Sequence, residues 1–185
     1  KIYAGSITLG VGQFCTNPGL IIGLEGKELS TFLETLGNEI TKIAPGTMLH
    51  PGIFKNYRKK KDEALKQSGV DTVAVSEAKP VLNLPAGQAG QGSPTIASAT
   101  GQTFLNNPLL HQEVFGPYSL IIRCKDMKEM QQVAGKLEVQ LTATLMATDH
   151  ELLIHDKLVE AVKNICGRII LNSVPTGVEV CLSMH

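Results

Sequence analysis

The sequence has no excess of either charge: 17 Lys and Arg stand against 17 Asp and Glu over 185 residues. Without a net field there is no general attraction to nucleic acid or to an anionic membrane, which favours small-molecule partners. Cysteine is scarce and scattered. Cys15, Cys124, Cys166 and Cys181 include no C-x-x-C pair and join no Cys/His cluster, so neither a metal site nor a disulfide framework is indicated, and a reducing cytoplasm suits them. The apolar runs are too short to cross a bilayer, and the first residues show no charged-then-apolar signal pattern. The length suits a single domain, 1–185, with a core of its own.

Aromatic residues make up only 4% of the chain, and none interleaves with the one basic run, Arg58-Lys59-Lys60-Lys61. Asp62 and Glu63 follow at once, so the run reads as the solvated face of a helix and not as a nucleic-acid surface. Glycine and proline concentrate in residues 79–94, which reads as a loop. Its Gly87-Gln88-Ala89-Gly90-Gln91-Gly92 has the order G-x-x-G-x-G and is followed by Pro94 and a strand-like segment instead of a helix. That is not a dinucleotide fingerprint.

Elsewhere short apolar runs alternate with helical periodicity. Residues 1–12 suit a tightly packed helix ending at glycines, and Gly19 to Leu24 a strand buried on both faces. Lys27 to Ile43 places Leu29, Phe32, Leu33, Leu36, Ile40 and Ile43 on one helical face, and a further helix starts at Pro51. Strands are expected at Val70 to Val75, with alternating Val73 and Val75, from Thr95, at Tyr118 to Arg123, at Leu141 to Ala147 and at Gly167 to Leu171. Helices are expected from an Asp126 cap to about Leu137, with methionines as core packing, and from Leu152 to Ile165. The expected class is α/β, a mostly parallel sheet covered by helices on both faces. Ligands of such sheets bind in loops beyond the strand C-termini, a place that the Asn172 to Gly177 loop occupies.

The stretch Gly10-Val11-Gly12-Gln13-Phe14-Cys15-Thr16-Asn17-Pro18-Gly19 sets a lone thiol between glycines and an Asn-Pro-Gly turn. A thiol so placed is a candidate nucleophile for carbonyl carbon and is expected to be the most reactive of the four. A buried, inert cysteine is the alternative. A cysteine hydrolase or acyltransferase would need a nearby base from His50, His111, His150, His155 or His185, none of which is near Cys15 in sequence. A non-catalytic α/β interaction domain would leave the thiol unreactive.

Gly12-Gln13-Phe14-Cys15 resembles the Gly-Gln-x-Cys active-site segment of aldehyde dehydrogenases. Glu113-Val114-Phe115-Gly116-Pro117 resembles a second motif of that family, Glu-x-Phe-Gly-Pro, 98 residues further on (113 − 15). Together with Asn172-Ser173-Val174-Pro175-Thr176-Gly177-Val178-Glu179, the cysteine segment is most similar to the branch acting on 2,5-dioxopentanoate, α-ketoglutarate semialdehyde. The resemblance spans essentially the whole chain but only the catalytic domain of a longer, homo-oligomeric enzyme. It implies Cys15 as nucleophile, Glu113 on the nicotinamide-ribose hydroxyls of NAD or NADP, Phe115 near the nicotinamide, and Phe14, Thr16, Val174, Pro175, Thr176 and Gly177 at the substrate. It also implies a glutamate base and an asparagine oxyanion donor upstream of the cysteine, beyond the 14 residues that precede it here.

Overall fold

Strands β5 (Thr95–Thr100) and β6 (Tyr118–Cys124) carry the fold of this computed structural model, which describes residues 1–81 and 89–175. The two strands pair in parallel, and nearly every residue of both is buried. Alternation sends their side chains to two cores. On one side Ala97, Ala99, Leu120 and Ile122 meet Tyr57 of α3 (Pro51–Leu65), Phe104 of α4 (Gly101–Asn106) and Val133 of α5 (Met127–Ala134). On the other, Ile96 and Ile121 meet Ala4 and Ile7 of α1 (Ile2–Thr8) and Leu36 and Ile40 of α2 (Lys27–Ile40). Each large apolar side chain buried in this way contributes roughly 1.5–3 kcal/mol. The expected α/β sandwich of helices around a mostly parallel sheet is what forms.

The sheet has the order β1 (Leu20–Leu24), β6, β5, β3 (Val70–Val75), with β1 parallel to β6 and β3 antiparallel to β5. A two-stranded ribbon joins β2 (Gly46–Thr47) to β4 (Gln91–Gly92). Helix ends follow the local sequence: the His50 ring accepts from the Gly52 N–H at 3.0 Å ahead of Pro51, and Asp126 accepts from the Glu129 N–H at 2.8 Å.

Four expectations change. β1 is an edge strand, half-buried instead of covered on both faces, with Leu24 exposed. In β3 the register slips between Thr72 and Ala74, making Val73 the extra residue of a bulge; Val73 and Val75 face outward and Ala74 the core. The helix expected over Leu152 to Ile165 is two, α6 (Asp149–Ile154) and α7 (Asp156–Ile165), broken where His155 leaves helical geometry at φ −112°, ψ 35°. Finally, among the described residues β7 (Gln140–Leu145) and β8 (Cys166–Leu171) pair only with each other, as a separate parallel sheet held beside the core by α7 packing on α5.

Candidate active site

Three successive residues, Gly10, Val11 and Gly12, hold left-handed backbone at φ 55°, 58° and 65° just before Cys15. For a β-branched residue this is strained by about 1–3 kcal/mol, so the surroundings must hold it. Gly46 supplies room, since a Cβ there would strike the Val11 side chain. Gln13 clamps the turn from outside: its amide Nε2–H donates to the Gly10 carbonyl at 2.9 Å and its Oε1 accepts from the Leu49 N–H at 2.9 Å.

Gly12 lies so close to the Gly116 carbonyl and Pro117 that a Cβ would overlap them. The cysteine turn and the Glu113 segment therefore meet backbone to backbone. Asn17 adds a tie, its Nδ2–H donating to the Gly116 carbonyl at 3.1 Å, and the Ser119 hydroxyl donates to the Pro18 carbonyl at 2.7 Å. From below, the Tyr57 ring fills the space that a side chain at Gly116 would need, while its hydroxyl donates to the Ser93 carbonyl at 2.7 Å.

This packing opens a cleft of about 370 Å³ onto which Cys15, Asn17, Lys60, Glu113, Phe115 and Tyr118 all face. Cys15 and Glu113 are exposed. Among the described residues no hydrogen bond or ion pair occupies the Glu113 carboxylate, and no backbone carbonyl takes the Cys15 N–H. Tyr118 is buried at the cleft floor with an unpartnered hydroxyl that burial pushes up to about 12.

The other expected site residues that the structure describes do not line this cleft. The Phe14 ring turns outward over Gly10, and Thr16 is buried. The Pro175 carbonyl accepts from the Ser6 hydroxyl of α1 at 2.6 Å, with Val174 beside it; none of these four lines the cleft. Thr176 and Gly177 fall outside the described residues. Cys124 is buried in β6, its thiol pushed up to about 12 by desolvation and by the acids Glu129, Asp126 and Glu25, and Cys166 starts β8. His111 does line the cleft, but its Nε2 pairs with the Phe104 carbonyl at 2.8 Å and its ring stacks on Phe104, so no histidine is hydrogen-bonded to Cys15 among the described residues. Among those residues, too, no group of three His, Cys, Asp or Glu could hold a metal ion, and no helix is long and apolar enough to cross a membrane.

Sequence reasoning missed Lys60, whose Nζ donates to the Glu113 carbonyl at 3.0 Å. It stood in a run read as a solvated face, which holds for the exposed Arg58 and Lys59 and needs correcting for Lys60, which is half-buried. Lys61 is also half-buried, its ammonium 5.4 Å from the Tyr57 ring centroid and its pKa lowered by desolvation. Only the long-range fold shows either contact.

The chain is 37% identical over 182 residues to alpha-ketoglutaric semialdehyde dehydrogenase 2 of Azospirillum brasilense, an alignment covering 98% of this chain and 33% of that protein. Over almost its whole length the chain is similar to an aldehyde dehydrogenase. A second such relative, the alpha-ketoglutaric semialdehyde dehydrogenase of Acinetobacter baylyi, is 34% identical over 97% of the chain and 33% of its own length. The fold agrees. It matches the NADP+ complex of succinic semialdehyde dehydrogenase from Streptococcus pyogenes at TM-score 0.74 and 21% identity, over 96% of this chain and 38% of that one. The lactaldehyde dehydrogenase of Escherichia coli matches at TM-score 0.72 and 16% identity, over 96% and 36%. The chain spans about a third of the length of these curated aldehyde dehydrogenases, 33% in each case. No family model matches it.

Proposed function

We propose that this chain contributes the nucleophile and part of the cofactor site of an NAD(P)-dependent aldehyde dehydrogenase acting on α-ketoglutarate semialdehyde. On this reading, a longer polypeptide supplies the dinucleotide-binding domain. One observation supports it above the others: the thiol of Cys15 and the carboxylate of Glu113, far apart in sequence, open onto one cleft because Gly12 and Gly116 pack together. The names of the relatives point to the same substrate. The complete protein is expected to be a cytoplasmic homo-oligomer with a small aldehyde as its partner, not nucleic acid or membrane.

The residues present fit a nicotinamide cofactor. An exposed carboxylate whose two acceptor oxygens have no partner among the described residues suits the paired hydroxyls of a ribose, and Phe115 offers a flat apolar surface beside it. NAD or NADP, when bound, supplies the hydride acceptor. The Cys15 thiolate adds to the aldehyde carbon, forming an S–C bond while the carbonyl pair moves to oxygen. The Cys15 N–H, which no backbone carbonyl among the described residues takes, is one donor for that oxyanion. Two-electron oxidation leaves a thioester on Cys15; water then attacks its acyl carbon, the C–S bond breaks, the acid departs and the thiolate returns. The base that takes the water's proton is assigned, with the second oxyanion donor, to the longer polypeptide.

The test follows NAD(P)H absorbance with α-ketoglutarate semialdehyde and NAD+ or NADP+. The full-length protein should turn over and Cys15→Ala should abolish it. The 185-residue chain alone should be silent, since losing one oxyanion donor already costs about 10²–10³ in rate. Turnover by the chain alone would overturn the division of labour; full turnover in Cys15→Ala would overturn the nucleophile.

A further inference from the structure

We infer that Lys60 is a positioning residue that sets where Glu113 stands relative to Cys15. The inference rests on the proposed cofactor role of Glu113. Residues 112–115 lie between the 3₁₀ turn Pro108–His111 and β6 and belong to no helix or strand, so their own backbone does not fix them. Val114 packs against the core that holds Tyr57 and Phe104, and two side-chain hydrogen bonds from outside the segment tie its backbone. The Asn17 amide holds the Gly116 carbonyl at 3.1 Å from the cysteine turn, and the Lys60 ammonium holds the Glu113 carbonyl at 3.0 Å from α3. The first pins the end of the segment next to the strand; only the second acts on the residue whose carboxylate faces the cleft.

Alternatives for the ammonium are close at hand. Glu63 and Glu138 line the same cleft, yet Glu63 sits 4.0 Å from Lys59, and Lys60 forms no ion pair among the described residues. A neutral carbonyl is the weaker electrostatic partner, so the contact reflects geometry: the rigid helix, anchored by buried Tyr57 and Ala64 on either side of Lys60, delivers the side chain to that point. An ammonium on the main-chain carbonyl also leaves both carboxylate oxygens of Glu113 free for a diol, which an ion pair with the carboxylate would not.

Lys60→Met removes the donor and keeps the stem, and Lys60→Arg restores a donor. In the 185-residue chain, ¹⁵N relaxation should give Val114 and Phe115 order parameters near ~0.85 in the parent and below ~0.6 in Lys60→Met, with Lys60→Arg close to the parent. Circular dichroism melts accompany each, and Lys60→Leu, which also lacks a donor, repeats the test should Lys60→Met fail to fold. Unchanged order parameters overturn the inference. In the full-length protein, Lys60→Met should raise the cofactor KM about tenfold with kcat and aldehyde KM changed less than about twofold. In a Glu113→Gln background it should add nothing further. An additive effect there, or no effect while Glu113→Gln alone weakens cofactor binding, overturns the inference. If Glu113→Gln leaves cofactor binding intact, the cofactor role falls, and the relaxation data still decide whether Lys60 holds the segment.

Discussion

Two strand pairs in this chain share a composition and differ in fate. β5 and β6 lie inside a four-stranded sheet, with Ile96, Ala97, Ile121 and Ile122 all at 0% exposure. β7 and β8 are also rich in Leu, Ile and Thr and also parallel, yet Leu141 is 62% exposed, Leu171 54%, and Leu153 of the intervening α6 76%. Parallel pairs normally have both faces covered, because the crossover that joins them lays a helix on the sheet. Here α7 packs on β8, while Leu141 and Leu171 stay exposed. A strand's hydrophobicity states that it wants cover; its place in the fold states whether it has it.

The sharpest way to break the comparison is to remove a side chain from each region. Phe104→Ala, in the core against β5 and β6, should destabilise by about 3–5 kcal/mol, whereas Leu153→Ala should stay within about 0.5 kcal/mol. Urea unfolding of both variants ranks them, and equal losses would mean that the exposed helix is covered in solution. A smaller effect is expected where the well-packed region touches the thiol. Gly12→Ala places a side chain at φ 65° against the Gly116 carbonyl, and the backbone strain alone should cost about 1–3 kcal/mol. A wild-type melting temperature in that variant would show that the two motifs are not interlocked.

The smallest effect is alkaline. Burial keeps the Cys124 thiol protonated to about 12 in the folded chain, against an ordinary value of 9.0. Above the unfolded value the unfolded chain has released this proton and the folded chain has not, so stability falls as pH rises, by up to about 1.4 kcal/mol per unit for this group. The loss stops once pH passes the folded value. Below the unfolded value the group contributes no pH dependence. Urea midpoints at pH 9 and 10 should show the decline in the parent, and Cys124→Ala should flatten it. An equal slope in the variant would assign the decline to other groups. Tyr118, also raised to about 12, enters only above its ordinary 10.0.

Much of the fold was legible because its signals are local. Asp126 marks a helix start through a bond made within four residues and Pro51 through its fixed φ, and Leu29 to Ile40 show a helical face whatever lies opposite. The short α4 passed unnoticed, since Gly101 to Asn106 is too brief for periodicity and its cap is a lone Thr100. The break at His155 escaped for a related reason: apolar residues on both sides keep a helical spacing while the backbone between them does not. In the site, the two motifs were readable as motifs. Lys60 was not, because a lysine that holds a carbonyl 53 residues away has the same sequence signature as one in water.

By itself, then, the sequence determined the alternation of strands and helices, the isolated thiol at position 15 and the motif around Glu113, all of which follow from properties of neighbouring residues. Only the tertiary structure decided which strands are interior, that Gly12 rests on Gly116, and that a lysine from α3 reaches the Glu113 backbone. Those depend on contacts between segments that chain order does not bring together. They rest on the two cores either side of β5 and β6, against one of which Val11 of the left-handed turn ahead of Cys15 is packed.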